Sequence, residues 1–374
     1  MFNYYRTNFL ILKNKIKYWK EIKDNKVIIN NLFNNSNAVM LQDNEEIMQM
    51  WKKTFSDYNR CMPHEALKMA EAFVSSNIKL SKKTYYENIS KDNPILLCNV
   101  RNDLERIQML IEHHKKIGVQ YFAILDNNSD DGTYEWLMKQ DVDVFSVEDK
   151  YNSIVRAAWI AKVASYYGLD RWFIIVDSDE LLVYEGMEEK NIQTLISEMQ
   201  TANLERGLGF MIDMYAEKSD LKKKNEKQDI YSHYKYFDTK SYSRENGTTQ
   251  VNIFGGPRDR YFGRKEDKAR ELLTKYPVVY WNKGEIYRYH YMFPFFQNFK
   301  SPIFLGLFHY KFIDGDYDKY LNIVKEGNYA GGSGFYKRYI ERLGNSDCIS
   351  FLDEQSCEFR TSDDLNKINI FNKK

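Results

Sequence analysis

Two carboxylates one residue apart, Asp177 and Asp179, sit at the end of the apolar run FIIVDSDEL (residues 173–181), with Glu180 directly behind them. Such a run reads as a β-strand. Strand alternation turns residues two apart to one side, so the two carboxylates are expected to converge while Ser178 faces away. Converging carboxylates at a strand end suit a hard cation. A cation there neutralises a diphosphate that the carboxylates alone would repel, which makes a metal-bound nucleotide the first substrate class to consider. An aspartyl-phosphate phosphatase also places Asp-x-Asp after a strand, but its pattern wants Thr or Ser two residues beyond the second Asp, and Leu181 stands there. The plainer reading is a carboxylate pair that marks a strand exit or caps a following helix.

The elements that must position these groups lie upstream. PILLCNVRNDLERIQMLIEHHKKIGVQYFAILDNNSDDGTYEWL reads strand, helix, strand, turn, helix. Residues 95–100 form the first buried strand. Residues 104–116 carry Leu104, Ile107, Leu110 and Ile111 at helical spacing, and Gly118 suits a helix end. Residues 121–125 form the second strand, 126–132 a polar turn, and Thr133 is expected as an N-cap. A third strand follows at 143–147, then a helix over 152–167 closed by Gly168. This alternation predicts an α/β fold with a mostly parallel sheet flanked by helices. Ligands of such sheets sit beyond the carboxyl ends of strands, where Arg101, Asn102, Asp126 and Asp177 emerge.

Strand-VRND, then HH-x2-IG-x3-YFAILDNNSDDGT, then FIIVDSDELL resembles the family-2-like glycosyltransferases of the GT-A fold, in particular the subgroup related to family 92. IDMYAE (212–217), YFD (236–238), GGPRDRYF (255–262), the His290 region and FHYKF (308–312) extend the likeness over residues 94–312. The resemblance implies a Rossmann-like GT-A domain at 94–312, with helical extensions at 1–93 and 313–374. It implies transfer of a sugar from a nucleotide-sugar donor, a UDP-sugar first, to a glycan, other saccharide or glycolipid acceptor, with Mn2+ or Mg2+ and inversion at the anomeric carbon. Surface polysaccharide or glycoconjugate synthesis would be the setting.

Residue roles follow from the same resemblance. Asp126 matches a carboxylate that contacts base or ribose, with Arg101 and Asn102 on the same edge; Asp126 also reads as an Asx-turn residue in DNNSDDG. A calcium loop is excluded, since Gly132 falls one place late and Leu137 stands at position twelve. Asp177 and Asp179 match the metal-diphosphate pair, Asp179 as the direct ligand, and Glu180 orients a ligand or bonds the acceptor. His290 in YRYHYMF is the candidate third metal ligand, with His309 in FHYKF as its competitor; a His among aromatics is also commonly a packed core residue. Arg258 and Arg260 in GGPRDR suit phosphate, or pair with local acids on a surface loop. Inversion needs a base, and Asp213, at the end of a strand over 209–212, is placed ahead of Glu217, Asp238 and Asp259.

Composition bounds the rest. The 374 residues suffice for one large core with additions, and a net charge of +1 argues against a general nucleic-acid footprint. The 29 Tyr, 23 Phe and 6 Trp suit stacking on sugars, although core packing accounts for most of them. Cys61, Cys98, Cys348 and Cys357 show neither zinc spacing nor a disulfide framework, which points to a reducing compartment, the cytoplasm. No apolar run reaches membrane-spanning length. The N-terminus interleaves Phe2, Tyr4, Tyr5, Phe9, Leu10, Ile11, Leu12, Ile16, Tyr18 and Trp19 with Arg6, Lys13, Lys15, Lys17 and Lys20. That pattern is either a basic helix lying on the anionic inner face of a membrane or a helix packed on the catalytic domain. Helices are expected at 44–58, 64–76, 317–325 and 334–343, with GNYAGGSG as a linker or flexible site edge. A non-catalytic nucleotide-sugar or carbohydrate-binding scaffold is the alternative to an enzyme.

Overall fold

The computed structural model describes residues 2–35, 41, 44–84, 89–223, 229–263, 270–328, 330–344 and 348–372; the side chains of 2–8, 10, 35, 330 and 331 are not described. The N-terminal expectations at Phe2, Tyr4, Tyr5, Arg6 and Leu10 lie outside the described side chains.

Nine strands build one sheet: β1 (Lys79–Lys82), β2 (Ile95–Val100), β3 (Tyr121–Asp126), β4 (Asp143–Ser146), β5 (Arg171–Asp177), β6 (Glu180–Tyr184), β7 (Arg206–Asp213), and the later strands Thr274–Trp281 and Ile303–His309. Their order is β1, β4, β3, β2, β5, Thr274–Trp281, β7, Ile303–His309, β6. The run β4, β3, β2, β5 is parallel throughout. Thr274–Trp281 is antiparallel to both β5 and β7, β7 is parallel to Ile303–His309, and the edge strands β1 and β6 are antiparallel to their neighbours. Six strands therefore share one direction, and the sheet is the mostly parallel, Rossmann-like one the sequence predicts. At Gly209 of β7 a Cβ would come within 2.8 Å of the Leu305 carbonyl oxygen, so glycine lets the two strands approach.

Helices α1 (Phe2–Lys17), α2 (Trp19–Asn35), α3 (Glu45–Asn59), α4 (Pro63–Ser75), α5 (Leu104–Lys116), α6 (Thr133–Leu137), α7 (Ser153–Tyr167) and α8 (Ile192–Thr201) precede and cover the sheet. α7 begins where the Asn152 side chain accepts from the Ile154 amide, and ends at Gly168 with φ +81°. Residues 157–165 of α7 are all buried, because its outer side is covered by α4. Trp51 Nε1 donates to Ser165 Oγ at 2.7 Å and Lys162 Nζ to the Ser76 carbonyl at 2.7 Å, so the N-terminal helices are fastened to the sheet's own layer. The segment before residue 94 also contributes β1, a strand too short and polar (KLSK) to be read as one. Thr133 is the first residue of α6 rather than its N-cap: Gly132 takes the cap position with φ +92°, and Thr133 Oγ1 accepts from the Asp103 amide. Beyond Phe312, helix Tyr317–Glu326 closes at Gly327 (φ +63°), and residues 330–334 of the glycine-rich stretch fall inside helix Ala330–Leu343 rather than in a linker. The last segment also adds short strands, Cys348–Ile349 and Ser356–Glu358, paired with Ser219–Asp220 and Tyr236–Asp238. All four cysteines are free.

The histidine pair in the HH-x2-IG pattern is structural. His113 Nε2 donates to the Leu182 carbonyl at 2.7 Å, and His114 Nε2 accepts from the Leu182 amide at 3.3 Å while its Nδ1 donates to the Leu110 carbonyl. Together they satisfy the amide and carbonyl of Leu182 in β6, the sheet's edge strand. Burial holds both rings neutral, His113 down at about 4 and His114 well below the ordinary value. The unfolded chain therefore binds protons that the native chain refuses. Stability present above pH ~6.5 is expected to fall as the pH drops towards about 4, by up to about 3 kcal/mol from His113. Urea denaturation of His113→Gln across that range should show a flatter pH slope than the parent; an unchanged slope would assign the acid loss elsewhere.

Candidate active site

Strand β5 ends at Asp177, Ser178 and Asp179 make a tight turn, and β6 starts at Glu180. Strand alternation thus stops one residue before Ser178, which lines the cleft beside both aspartates and donates to Asp103 Oδ2 at 2.5 Å. The cleft has a volume of about 960 Å3 and lies at the carboxyl ends of β2 and β5.

Asp177 is gripped from both sides. Arg156 Nη1 meets its Oδ1 at 2.6 Å and Lys275 Nζ its Oδ2 at 3.0 Å. Burial works against ionisation of Asp177, but the two cations hold its carboxyl below the usual range. Lys275 also lies 2.8 Å from Glu180 Oε1, and Glu180 Oε2 accepts from the Asp177 amide at 3.0 Å, so Glu180 braces the turn. Being buried, Glu180 has its carboxyl pushed upwards despite Lys275. The Arg156 guanidinium lies 3.5 Å from the centre of the Tyr289 ring, which fixes it as a planar cation.

Asp179 begins a second chain of contacts. Its Oδ2 is 3.3 Å from His309 Nε2, and His309 Nδ1 is 2.6 Å from Asp213 Oδ1. Arg258 Nε meets Asp213 Oδ2 at 2.7 Å, and Arg258 Nη1 meets Glu271 at 2.6 Å. Burial disfavours the His309 cation, but the two aspartates outweigh it and raise His309 above its ordinary value. Asp213 is buried and Asp179 partly so, yet both are held below the carboxylate range despite desolvation, by His309 for Asp179 and by Arg258 and His309 for Asp213. Asp213 is only 2% exposed and has both oxygens engaged. It stands behind His309, which lines the cleft.

Cations that sequence reading missed complete the cleft: Arg156, Lys275, Lys311 and Lys319. Lys319 Nζ pairs with Asp103 at 2.9 Å, and Lys311 Nζ reaches the Tyr336 hydroxyl at 3.0 Å. For two of them the available signal was a cation inside an apolar element, Arg156 in SIVRAAW and Lys275 in TKYPVVYW. Phe335, Tyr336 and Tyr339 bring the helix Ala330–Leu343 to the rim, whereas no described residue of the glycine-rich stretch before them lines the cleft.

The remaining candidates divide. Arg101, Asn102, Arg258 and His290 line the cleft with the acidic turn. Arg101 sits 3.7 Å from Glu326 across it. Asn102, at φ +51°, is bonded to Asp130 and Ser129 and ties the 102 and 130 loops together. His290 Nδ1 donates to the Thr274 carbonyl at 2.7 Å, which leaves Nε2 as the acceptor nitrogen, and burial drives it down to about 3. Asp126 is 2% exposed; its Oδ2 accepts from the Ser129 amide at 3.0 Å as the Asx reading required, while its Oδ1 is buried without a hydrogen-bond partner. The neighbouring Asn127 and Asn128 line a hollow of about 310 Å3 that shares Arg101 and Glu326 with the cleft. Arg260 lies elsewhere, held by Asp238, Asp353 and the Phe351 carbonyl, so it fastens the C-terminal segment. Glu217, Asp238 and Asp259 do not line the cleft; Asp238 is fully buried and Asp259 pairs with Arg270 at 2.6 Å. Among the described residues, no three His, Cys, Asp or Glu side chains converge as a ready-made metal set.

No protein-family model matches the chain, and no curated protein sequence matches it. Among solved structures, CMP:2-keto-3-deoxy-manno-octonic acid synthetase complexed with CTP is similar over 50% of this chain and 74% of its own, at 11% identity and a TM-score of 0.26. A likeness that loose says nothing about the chemistry of this cleft.

Proposed function

We propose that this chain is a metal-dependent glycosyltransferase of the GT-A type, related to the family-2-like and family-92 enzymes its motifs resemble. It would move a sugar from a nucleotide-sugar donor, a UDP-sugar first, to a saccharide or glycolipid acceptor in surface polysaccharide or glycoconjugate synthesis. The observation that carries this reading is the pairing of an ionised, cleft-facing Asp179 with a ring of cations at the strand ends. A diphosphate is the ligand that needs both.

Asp179 has the chemistry to hold Mn2+ or Mg2+, because such ions are bound by one or two carboxylates together with substrate phosphates. A quarter of the Asp179 side chain is open, whereas both oxygens of Asp177 are committed to Arg156 and Lys275. When bound, the ion would neutralise charge on the departing diphosphate. Arg156, Lys275, Lys311 and Lys319 supply further positive charge where that anion would develop. Arg101 and the hollow by Asn127 would receive the nucleoside, with Asp126 beneath. In an inverting transfer the acceptor hydroxyl attacks the anomeric carbon, the bond to the diphosphate oxygen breaks, and the hydroxyl proton passes to a base. Asp213 lies too deep to meet an acceptor, so it would contribute by orienting His309. His309 could take the hydroxyl proton only when its Nε2 is deprotonated and released from Asp179, as it would be if Asp179 turned to the metal ion.

Screening UDP-, GDP- and CMP-sugars by thermal shift, with Mn2+ or with EDTA, tests this reading. One donor is expected to raise the melting temperature only with the metal, and to be hydrolysed or transferred under the same conditions. Metal-dependent binding without turnover on any acceptor would instead identify a non-catalytic scaffold.

A further inference from the structure

We infer that the N-terminal helix pair is a docking surface for an anionic lipid bilayer. Phe9, Leu12 and Ile16 of α1 are 65, 58 and 73% exposed, and their spacing of three and four repeats the helical period, so they form one stripe, with Trp19, 64% exposed, at the start of α2 directly after it. The opposite side of the helix is already used. Ile11 packs on the core, Asn14 donates to the Cys61 carbonyl, and the Tyr18 ring meets His64 edge-on at 5.1 Å. The packing explanation therefore accounts for one face and leaves the apolar stripe uncovered. A solvated helix would carry polar residues there.

The charges beside the stripe select its occupant. Lys13, Lys15, Lys17, Lys20, Lys23 and Lys26 are all exposed, against only Glu21 and Asp24 over the same stretch, and Glu21 is drawn back to His64 at 2.7 Å. An apolar stripe flanked by lysines matches acyl chains below anionic headgroups. A second copy of this chain fits poorly, since a two-fold contact sets each lysine row against its equivalent. No helix among the described residues is long and apolar enough to cross a membrane, so the contact is with the surface. Vesicle binding needs no donor or acceptor and stands apart from the glycosyl-transfer reading.

Co-flotation of the full-length protein with phosphatidylcholine vesicles, with and without phosphatidylglycerol, tests the inference. The protein is expected to float with the anionic vesicles only, and to be released by high salt. The Phe9→Ser, Leu12→Ser, Ile16→Ser, Trp19→Ser combination should abolish flotation without lowering the melting temperature. Each of Lys13→Gln, Lys15→Gln and Lys20→Gln should weaken binding roughly fivefold, and these variants touch no packing should the serine variant melt early. Absence of flotation, or equal flotation with neutral vesicles, would overturn the proposal. So would a dimer in sedimentation that the serine variant dissociates, which would assign the stripe to a second copy.

Discussion

Asp179→Ala is expected to lower metal-dependent donor turnover by roughly a thousandfold while leaving the fold intact. The substitution removes a charge from a turn, not volume from the core, and the backbone bond from the Tyr310 amide to the Asp179 carbonyl remains. The loss corresponds to about 4 kcal/mol, the scale on which a bound divalent ion stabilises a departing phosphate. Asp177→Asn should behave differently. Its carboxylate balances the buried Lys275 and the partly buried Arg156, so neutralising it takes a partner from Arg156 and leaves Lys275 only Glu180, and should lower stability as well as activity. Turnover and melting temperature, measured for both variants with and without Mn2+, separate the two roles. If Asp179→Ala keeps Mn2+-stimulated turnover, the assignment of this turn as the metal-diphosphate site fails.

The parts of the fold that were legible in sequence are those fixed by local chemistry. The bounds of β2 and α5 read off as they stand, and those of α7 to within a residue, because an apolar run, a capping Asn152 and the glycines at 118 and 168 act within a few residues of where they sit. The candidate site was legible only as a list of carboxylates. What it does depends on partners far along the chain: Lys275 is 98 residues from Asp177, His309 is 96 from Asp213, and Arg258 is 45 from Asp213. No local pattern reports such pairs. The same holds for β1, whose strand character comes from its pairing with β4 rather than from its own residues. Arg260 shows the converse: its motif looked like a phosphate fork, and the chain spends it on Asp238 and Asp353.

Asp213→Asn is expected to slow sugar transfer by roughly a hundredfold or more and to leave donor affinity nearly unchanged. Its carboxylate holds His309 by the nitrogen turned away from Asp179, and asparagine keeps the shape of that contact but not the charge that favours a proton on the ring. If Asp213 and His309 act as one unit, His309→Gln should give a similar loss, and the double variant should be little worse than either single one. Stability is a separate readout. Arg258 loses one of its two acidic partners in Asp213→Asn but keeps Glu271, so the decrease should stay below the 3–5 kcal/mol typical of stranding a buried charge. Near-parent transfer by Asp213→Asn, with a large loss in Glu271→Gln or Glu180→Gln, would place the base on a different carboxylate and reduce Asp213 to an anchor for Arg258.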